Sequence, residues 1–339
     1  MSSNSSDEIW LVIDSLAFGG IETHVLELAK GLHKFQAPIR VYFVRRYTDE
    51  PLLVQKLQSN NISVSYLDLD GSNYLSNLIT LVRNNKPALL HAHGYKASLV
   101  CKLTRLVTGV RQISTYHAGE TPSGKVWWYD LVDRCTSFIS NHSIAVSEKI
   151  AQKLASNSLS FNNFVDANDV TKSEGEQIAF VGRLSHEKGP DRFITLAKEN
   201  SQHMFHVYGS GSMDFELKAS ASSNVVFHGH QDDMRQVWPL IGALVICSRF
   251  EGLPMTALEA MARGIPVFSL NVGNMPKLIE HNGNGYLAKD VNQLSHDLNH
   301  YLTLDHQQRS SIQQRTIESI QSEYSQSAVI PLMLELYFS

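Results

Sequence analysis

The sequence predicts two open, parallel-sheet α/β domains in tandem. Three observations carry the prediction. Short apolar runs alternate with longer stretches whose apolar residues recur every three or four positions, the pattern of a parallel sheet covered by helices. The alternation runs twice, broken by the polar, Asn- and Asp-rich stretch Ser156 to Gln177. The chain's 339 residues also exceed the ~250–300 that one core fills. The domains are expected at residues 1–168 and 169–324, with a terminal helix, 325–339, returning to the first.

In the first half, Ile9-Trp-Leu-Val-Ile13 reads as a buried strand. The loop Leu16-Ala-Phe-Gly19-Gly20 leads into a helix over 21–35, with apolar positions at 21, 25, 28, 29 and 32. A glycine pair there lets backbone approach a ligand, and the helix start behind it favours an anion. Strands are expected at 39–44, 64–67, 88–91, 112–115 and 143–146, and helices at 51–59, 75–84, 97–107, 125–138 and 148–155. Ligands of such sheets bind at the carboxyl ends of the strands. His91-Ala-His93-Gly94, Thr115-Tyr-His117-Ala-Gly119-Glu120 and Ser147 fall at those ends. His91 and His93 have the spacing of a metal pair, but no third ligand follows at a recognisable interval. They read as structural histidines, and no metal is expected.

The second half opens with a strand at 178–181 and the loop Gly182-Arg183 to Lys188-Gly189-Pro190, followed by a helix over 192–200. Then come a strand at 205–208, Gly209-Ser-Gly211, a helix at 213–220, a strand at 225–227, Gly229-His230-Gln231 and a helix at 234–241. The strand 243–247 leads into Ser248 to Pro266, the stretch around which the domain is organised. Glu251 lies in its loop and Glu259 in its helix, seven residues between them, with Gly252 and Pro254 at the turn and Gly264 at the helix end. Strands at 266–270 and 285–288 and helices at 291–304, 307–324 and 328–338 complete the chain.

Arg183 and Lys188 share one loop at a strand's carboxyl end. Arg holds phosphate bidentately and Lys adds a compact charge, so the pair suits a diphosphate. Glu259 could accept hydrogen bonds from vicinal hydroxyls. The first strand leads into no G-x-G-x-x-G, and neither G-x-x-x-x-G-K-[ST] nor G-x-S-x-G occurs. Nicotinamide oxidoreductases, P-loop nucleotidases and α/β-hydrolases are therefore disfavoured. The formal net charge of −4 argues against a nucleic-acid partner. Cys101, Cys135 and Cys247 lie far apart in apolar runs and read as buried free thiols. No run reaches the ~20 apolar residues of a membrane span, and the polar start shows no secretory pattern, so a cytoplasmic location is expected. Lys96, Lys102, Arg105 and Arg111, on or beside one apolar helix, leave peripheral contact with the inner membrane face open, a solvated edge being the plainer reading.

Taken together, these residues resemble the retaining GT-B glycosyltransferases, in particular the large bacterial hexosyltransferase family, family 4, of the E-x7-E type. The matching pieces are Gly19-Gly-Ile-Glu22, Leu90-His-Ala-His93, Thr115-Tyr-His117, Asn162 to Asp166, Phe180-Val-Gly-Arg183 to Lys188-Gly, and Glu251-Gly-Leu-Pro to Glu259-Ala-Met-Ala-x-Gly-Ile-Pro266. The resemblance implies two Rossmann-like domains facing each other across a cleft, and a nucleotide-diphosphate sugar as co-substrate with neither cofactor nor metal. Glu259 would hold the ribose. Arg183 and Lys188 would grip the diphosphate, helped by backbone at Gly19 and Gly20. Gly209 is counted with the donor-binding loops, and Gly229 and His230 would hold the base. Glu251 and His117 would contact the donor sugar, with backbone from Gly252, Leu253, Pro254 and Met255 supporting sugar and phosphates. A UDP-sugar is favoured and GDP stands close behind, with a saccharide or lipid-linked saccharide as acceptor in cell-surface polysaccharide or glycolipid assembly. The alternatives are a sugar-nucleotide epimerase of the same architecture and a non-catalytic sugar-nucleotide-binding protein.

Overall fold

The computed structural model describes residues 7–15, 18–46, 50–68, 73–117, 125–146, 148–168 and 170–339. Leu16 and Ala17 of the glycine loop, Gly119 and Glu120, Ser147 and Asp169 lie outside the described residues. The chain divides into two units, Met1–Asn162 with Gln326–Ser339, and Asn163–Ser325.

The first unit is a seven-stranded sheet: β1 (Ile9–Ile13), β2 (Ile39–Phe43), β3 (Val64–Tyr66), β4 (Leu89–His93), β5 (Gln112–Tyr116), β6 (His142–Ala145) and β7 (Ser158–Ser160). All neighbours run parallel, in the order β3-β2-β1-β4-β5-β6-β7. Among the described residues, six helices connect them: α1 (Gly20–Lys34), α2 (Leu52–Ser59), α3 (Tyr74–Asn85), α4 (Tyr95–Thr108), α5 (Lys125–Cys135) and α6 (Glu148–Ala151). β1 is apolar throughout because both its faces are covered. β5 is buried along its length although it carries Gln112, Ser114 and Thr115. The Ser98 hydroxyl of α4 meets that of Ser114 at 2.7 Å and donates to Asp133 of α5, Gln112 Nε2 donates to Ser114 Oγ at 2.8 Å, and Thr115 Oγ1 meets His91 Nε2 of β4 at 2.7 Å.

The second unit has six parallel strands in the order β10-β9-β8-β11-β12-β13: β8 (Gln177–Val181), β9 (Phe205–Tyr208), β10 (Val225–Gly229), β11 (Ile241–Ile246), β12 (Val267–Leu270) and β13 (Gly285–Ala288). Its helices are α7 (Pro190–Glu199), α8 (Asp214–Ser220), α9 (Met255–Met261), α10 (Met275–Leu278), α11 (Val291–Thr303) and α12 (His306–Glu323). In both sheets the strand order reverses once, between β1 and β4 and between β8 and β11. A crevice opens outside the carboxyl ends at such a reversal, and ligands of doubly wound sheets bind there.

Residues 163–168 belong with the second unit, whereas the sequence placed the boundary after residue 168. The Asn163 amide donates to the Leu253 carbonyl at 2.7 Å, Val165 N–H donates to Tyr324 O at 2.9 Å, and Val165 and Ala167 enter the second core. The last helix, α13 (Gln326–Phe338), belongs to the first unit. Gly31 of α1 leaves room for Ile330, the Gln326 amide donates to the Glu27 carbonyl at 3.1 Å, and Arg111 donates to Leu336 O at 3.2 Å.

Several local expectations are corrected. The helix expected at 234–241 is two 3-10 turns, Met234–Gln236 and Trp238–Leu240, because Pro239 removes an amide donor where an α-helix needs one. The polar stretch Ser156 to Gln177 contains β7, which adds a short edge strand to β6. Pro254 is the cap of α9 rather than a residue of its first turn. Cys101 and Cys247 are buried, but Cys135 is exposed at the end of α5. The four cations about α4 do not form a solvated stripe. Lys102 is buried against Asp133, Lys96 pairs with Asp14 at 3.1 Å, Arg105 bonds Asn141, and Arg111 reaches His142 and the Leu336 carbonyl. Tyr95, Leu103, Leu106 and Val107 are the exposed side chains of that helix. Among the described residues, no helix is long and apolar enough to cross a membrane.

Candidate active site

In the second unit, the loops after β8 and β11 flank the strand reversal. The first makes a 3-10 turn, His186–Lys188, and passes through Gly189 at φ +64° into α7. A Cβ on Gly189 would lie 2.2 Å from the Cys247 carbonyl oxygen, so the loop rests directly on the end of β11. That approach brings Lys188 to Glu251, Nζ to Oε1 at 2.7 Å. The Ser248 hydroxyl donates to the same oxygen, also at 2.7 Å. Arg249 ties the loops again: its N–H donates to Glu187 O at 2.8 Å, and its guanidinium holds Asp191 in two bonds of 2.8 and 2.6 Å. Those bonds hold the Asp191 carboxyl below its usual range. Burial pushes Glu187 upward, but the Ser185 hydroxyl, backbone donation, Arg183 and Lys188 outweigh it and leave the carboxyl lowered. Both anions stay charged and keep the cations in place. Arg183 is largely exposed, its Nη1 3.9 Å from Glu187 Oε1.

Glu259 lies in the second turn of α9, half-buried, and its carbonyl accepts from Arg263 at 2.7 Å. Leu253, Pro254 and Met255 are buried, so their backbone is what a ligand could meet. The Gly252 carbonyl accepts from Asn274 N–H at 2.8 Å, which fixes the loop from the β12 side. No side chain caps α9, leaving its first N–H groups outward. His230 is exposed and lies 3.4 Å from Asp232. Gly229 stands at φ +73° with open space around it.

Gly209 has a stricter role. It adopts φ +143°, donates to Gly229 O at 2.8 Å, and a Cβ there would sit 1.9 Å from the Gly182 carbonyl. Backbone blocks the space, so no rotamer relieves the clash. Gly209→Ala is expected to destabilise the second unit by roughly 2 kcal/mol or more, read as a lower unfolding temperature. An unchanged unfolding temperature would contradict this packing.

In the first unit, Gly19 caps α1 without a side-chain bond, and the Thr23 hydroxyl donates back to its carbonyl at 2.9 Å. The first N–H groups of α1 are therefore uncapped. His93, at the end of β4, meets His117, just after β5: Nδ1 to Nε2 is 3.1 Å. His24 of α1 joins them, its ring centroid 4.7 Å from that of His117. One nitrogen from each of His24, His93 and His117 lies within 4.8 Å of the others, the cluster among the described residues with enough donors for a metal ion. His91 stays apart, bonded on both sides to Tyr337 OH at 2.6 Å and Thr115 Oγ1 at 2.7 Å. Burial lowers the basicity of His93 and His117 well below that of free imidazole, and the neighbouring imidazoles lower it further.

The structure thus gathers Arg183, Lys188 and Glu251 with Gly252 to Met255 in the second unit, and gathers His117 with two other histidines in the first. Sequence reasoning did not find His24, Ser248, Asp191 or Arg249. Ser248 is only three positions from Glu251, within one loop that has no repeat, and the 58 positions from Asp191 to Arg249 carry no periodic signal.

Residues 163–318 match the family model "Glycosyl transferases group 1", and residues 18–161 match "Glycosyltransferase Family 4". An uncharacterized glycosyltransferase of Haemophilus influenzae is 26% identical over 250 residues, 71% of this chain and 65% of that protein. The O-antigen biosynthesis glycosyltransferase WbnH of Escherichia coli is 32% identical over 117 residues, 34% of each chain. Neither alignment spans two thirds of the relative's own length. Among solved structures, Alr3699/HepE of Anabaena, in complex with UDP and glucose, matches with a TM-score of 0.81 at 18% identity, over 97% of this chain and 98% of that one.

Proposed function

The chain belongs to the GT-B glycosyltransferases, with one matching family model on each of its units, and we propose that it transfers a hexose or N-acetylhexosamine from a nucleotide-diphosphate sugar. UDP is the favoured nucleotide, and a saccharide or lipid-linked saccharide of a cell-surface polysaccharide or glycolipid is the acceptor. Transfer retains the anomeric configuration and needs no metal. The contact between Lys188 and Glu251 carries the reading. It joins, at the strand reversal of the second sheet, a cation suited to a diphosphate and a carboxylate suited to sugar hydroxyls. The UDP and glucose bound to the Anabaena protein, and the O-antigen role in the name of the Escherichia coli relative, support the donor and the pathway class.

The chemistry follows from charge. As the bond from sugar to diphosphate breaks, negative charge grows on the leaving oxygens. In the second unit, Lys188, Arg183 and the uncapped backbone N–H groups at the start of α9 stabilise it without reorganising, and backbone at Gly19 and Gly20 is proposed to help. Glu259 holds the ribose, and backbone about Gly209 and Gly229 with His230 holds the base. Glu251 and His117 contact the donor sugar near its reacting carbon. The acceptor hydroxyl attacks from the face that the diphosphate leaves, and a leaving phosphate oxygen takes its proton.

A donor panel tests the reading. Thermal shifts are measured with UDP-glucose, UDP-galactose, UDP-N-acetylglucosamine and GDP-mannose. At least one is expected to stabilise the protein by RT ln(1 + [L]/Kd). Silence across the panel would sink the proposal, and conversion of a donor with no acceptor present would point to an epimerase instead.

A further inference from the structure

The three-histidine cluster raises a question that the proposed chemistry leaves open: which nitrogen of His117 carries its proton. Both ring nitrogens of His91 are occupied, so it takes no part in the exchange. His93 is fully buried and its ring lies against His91, centroids 4.3 Å apart. Its Nδ1 meets His117 Nε2, while its Nε2 is sealed from solvent with no hydrogen-bond partner among the described residues. His117 is only half-buried, and its Nδ1 makes no hydrogen bond among the described residues.

Two neutral imidazoles joined nitrogen to nitrogen share one proton, and there are two ways to place it. If His117 donates from Nε2, the remaining proton of His93 sits on its Nε2, a buried N–H with no acceptor. If His93 donates from Nδ1, its Nε2 is a bare lone pair. Buried N–H groups left without an acceptor are rarer in folded proteins than under-used acceptors. The bond made by one ring nitrogen sets the state of the other.

We propose that His93 is a positioning residue, donating its Nδ1–H to His117 Nε2 and so fixing His117 as the tautomer that presents Nδ1–H outward as a hydrogen-bond donor. The consequence for the reaction rests on the proposed contact of His117 with the donor sugar. His117 would then offer a proton to a sugar or phosphate oxygen and would not act as a base. A shared metal ion fits the cluster less well. Metal-bound histidines almost always engage their second nitrogen, and among the described residues no carboxylate belongs to this cluster to offset a divalent charge.

The test is 15N NMR of the histidine-labelled full chain at pH 7.5. The expected result is a protonated Nδ1 and a bare Nε2 for His117, and likewise a protonated Nδ1 and a bare Nε2 for His93. A protonated Nε2 on His117 would overturn the proposal, as would stoichiometric collapse of these signals on adding zinc ions. His93→Asn keeps a side-chain N–H near the Nδ1 position, whereas His93→Leu removes it. His93→Leu is expected to mix the His117 tautomers and to lower kcat roughly tenfold with little change in KM, and His93→Asn to restore both. Equal kcat in the two variants, with the His117 signals unmoved, would reduce His93 to a packing role. If the tautomer stands but His117→Ala transfers normally, the sugar contact fails and the assignment of the proton survives.

Discussion

Replacing Lys188 by Ala is expected to lower kcat/KM for the nucleotide-sugar by about 10²–10³-fold, or roughly 3–4 kcal/mol of transition-state stabilisation. Two effects add. The diphosphate loses a point charge where its negative charge grows. Glu251, whose side chain is 8% exposed, also loses the ammonium 2.7 Å away and keeps only the Ser248 hydroxyl among the contacts described. Lys188→Arg tests the geometry: a guanidinium is wider and forked, so it restores charge without restoring the bond to Oε1. Partial recovery is expected, with most of the loss remaining in kcat. The measurement is steady-state kinetics with the donor found in the panel, with circular dichroism confirming an intact fold. A Lys188→Ala protein with near-normal kcat/KM would remove the observation on which the proposed function stands.

The second large effect is structural. Lys102 is 1% exposed, and its ammonium donates to Asp133 Oδ1 and to the Asp133 carbonyl, both at 2.6 Å, and to Tyr116 OH at 2.9 Å. Burial lowers the affinity of Lys102 for its proton and raises that of Asp133, each against the pull of its partner. Both directions mean that desolvation outweighs pairing, so the pair does more for the geometry of α4, α5 and β5 than for net stability. Breaking it is another matter. Lys102→Ala leaves a buried carboxylate without its cation and is expected to destabilise the first unit by about 3–5 kcal/mol. Amide hydrogen exchange in α4 and β5 reads that unit separately.

The loss should depend on pH. Asp133 has a folded pKa above its unfolded value, so between the two the folded state binds more protons and stability falls as pH rises. Without Lys102 the folded value climbs further. The variant should then suffer least near and below pH 4, close to the ordinary carboxylate range, and most at pH 8. A loss that is flat in pH would mean that the carboxylate has found another partner. The double variant Lys102→Met with Asp133→Leu is expected to regain most of the stability, since an apolar pair of similar size pays no desolvation cost.

Much of the fold was legible because it rests on local periodicity. A fully covered parallel strand must be apolar along its length, as β1 is, and a helix on one sheet face must repeat every three or four residues. Where the local signal was ambiguous it misled. Apolar residues from Met234 to Ile241 fit a helix until Pro239 is weighed, and Cys135 lies in an apolar-looking run yet ends exposed at the tip of α5. The cations near α4 show the same limit. Spacing alone made Lys102 one charge of a basic edge, while Asp133, 31 positions away, draws it into the interior.

The candidate site divides along the same line. The sequence by itself determined which residue types stand at the carboxyl ends of the strands: the glycine pair at Gly19, the cations at Arg183 and Lys188, the two acids of the stretch Ser248 to Pro266. That follows because chain order fixes which loop comes after which strand. Only the tertiary structure decided that Lys188 meets Glu251 across 63 positions, and that His24 and His93 close around His117. Contacts of this kind depend on sheet order and on the close approach of backbone at Gly189. Neither leaves a repeat in the sequence, because partners on different strands are set by how the sheet is wound.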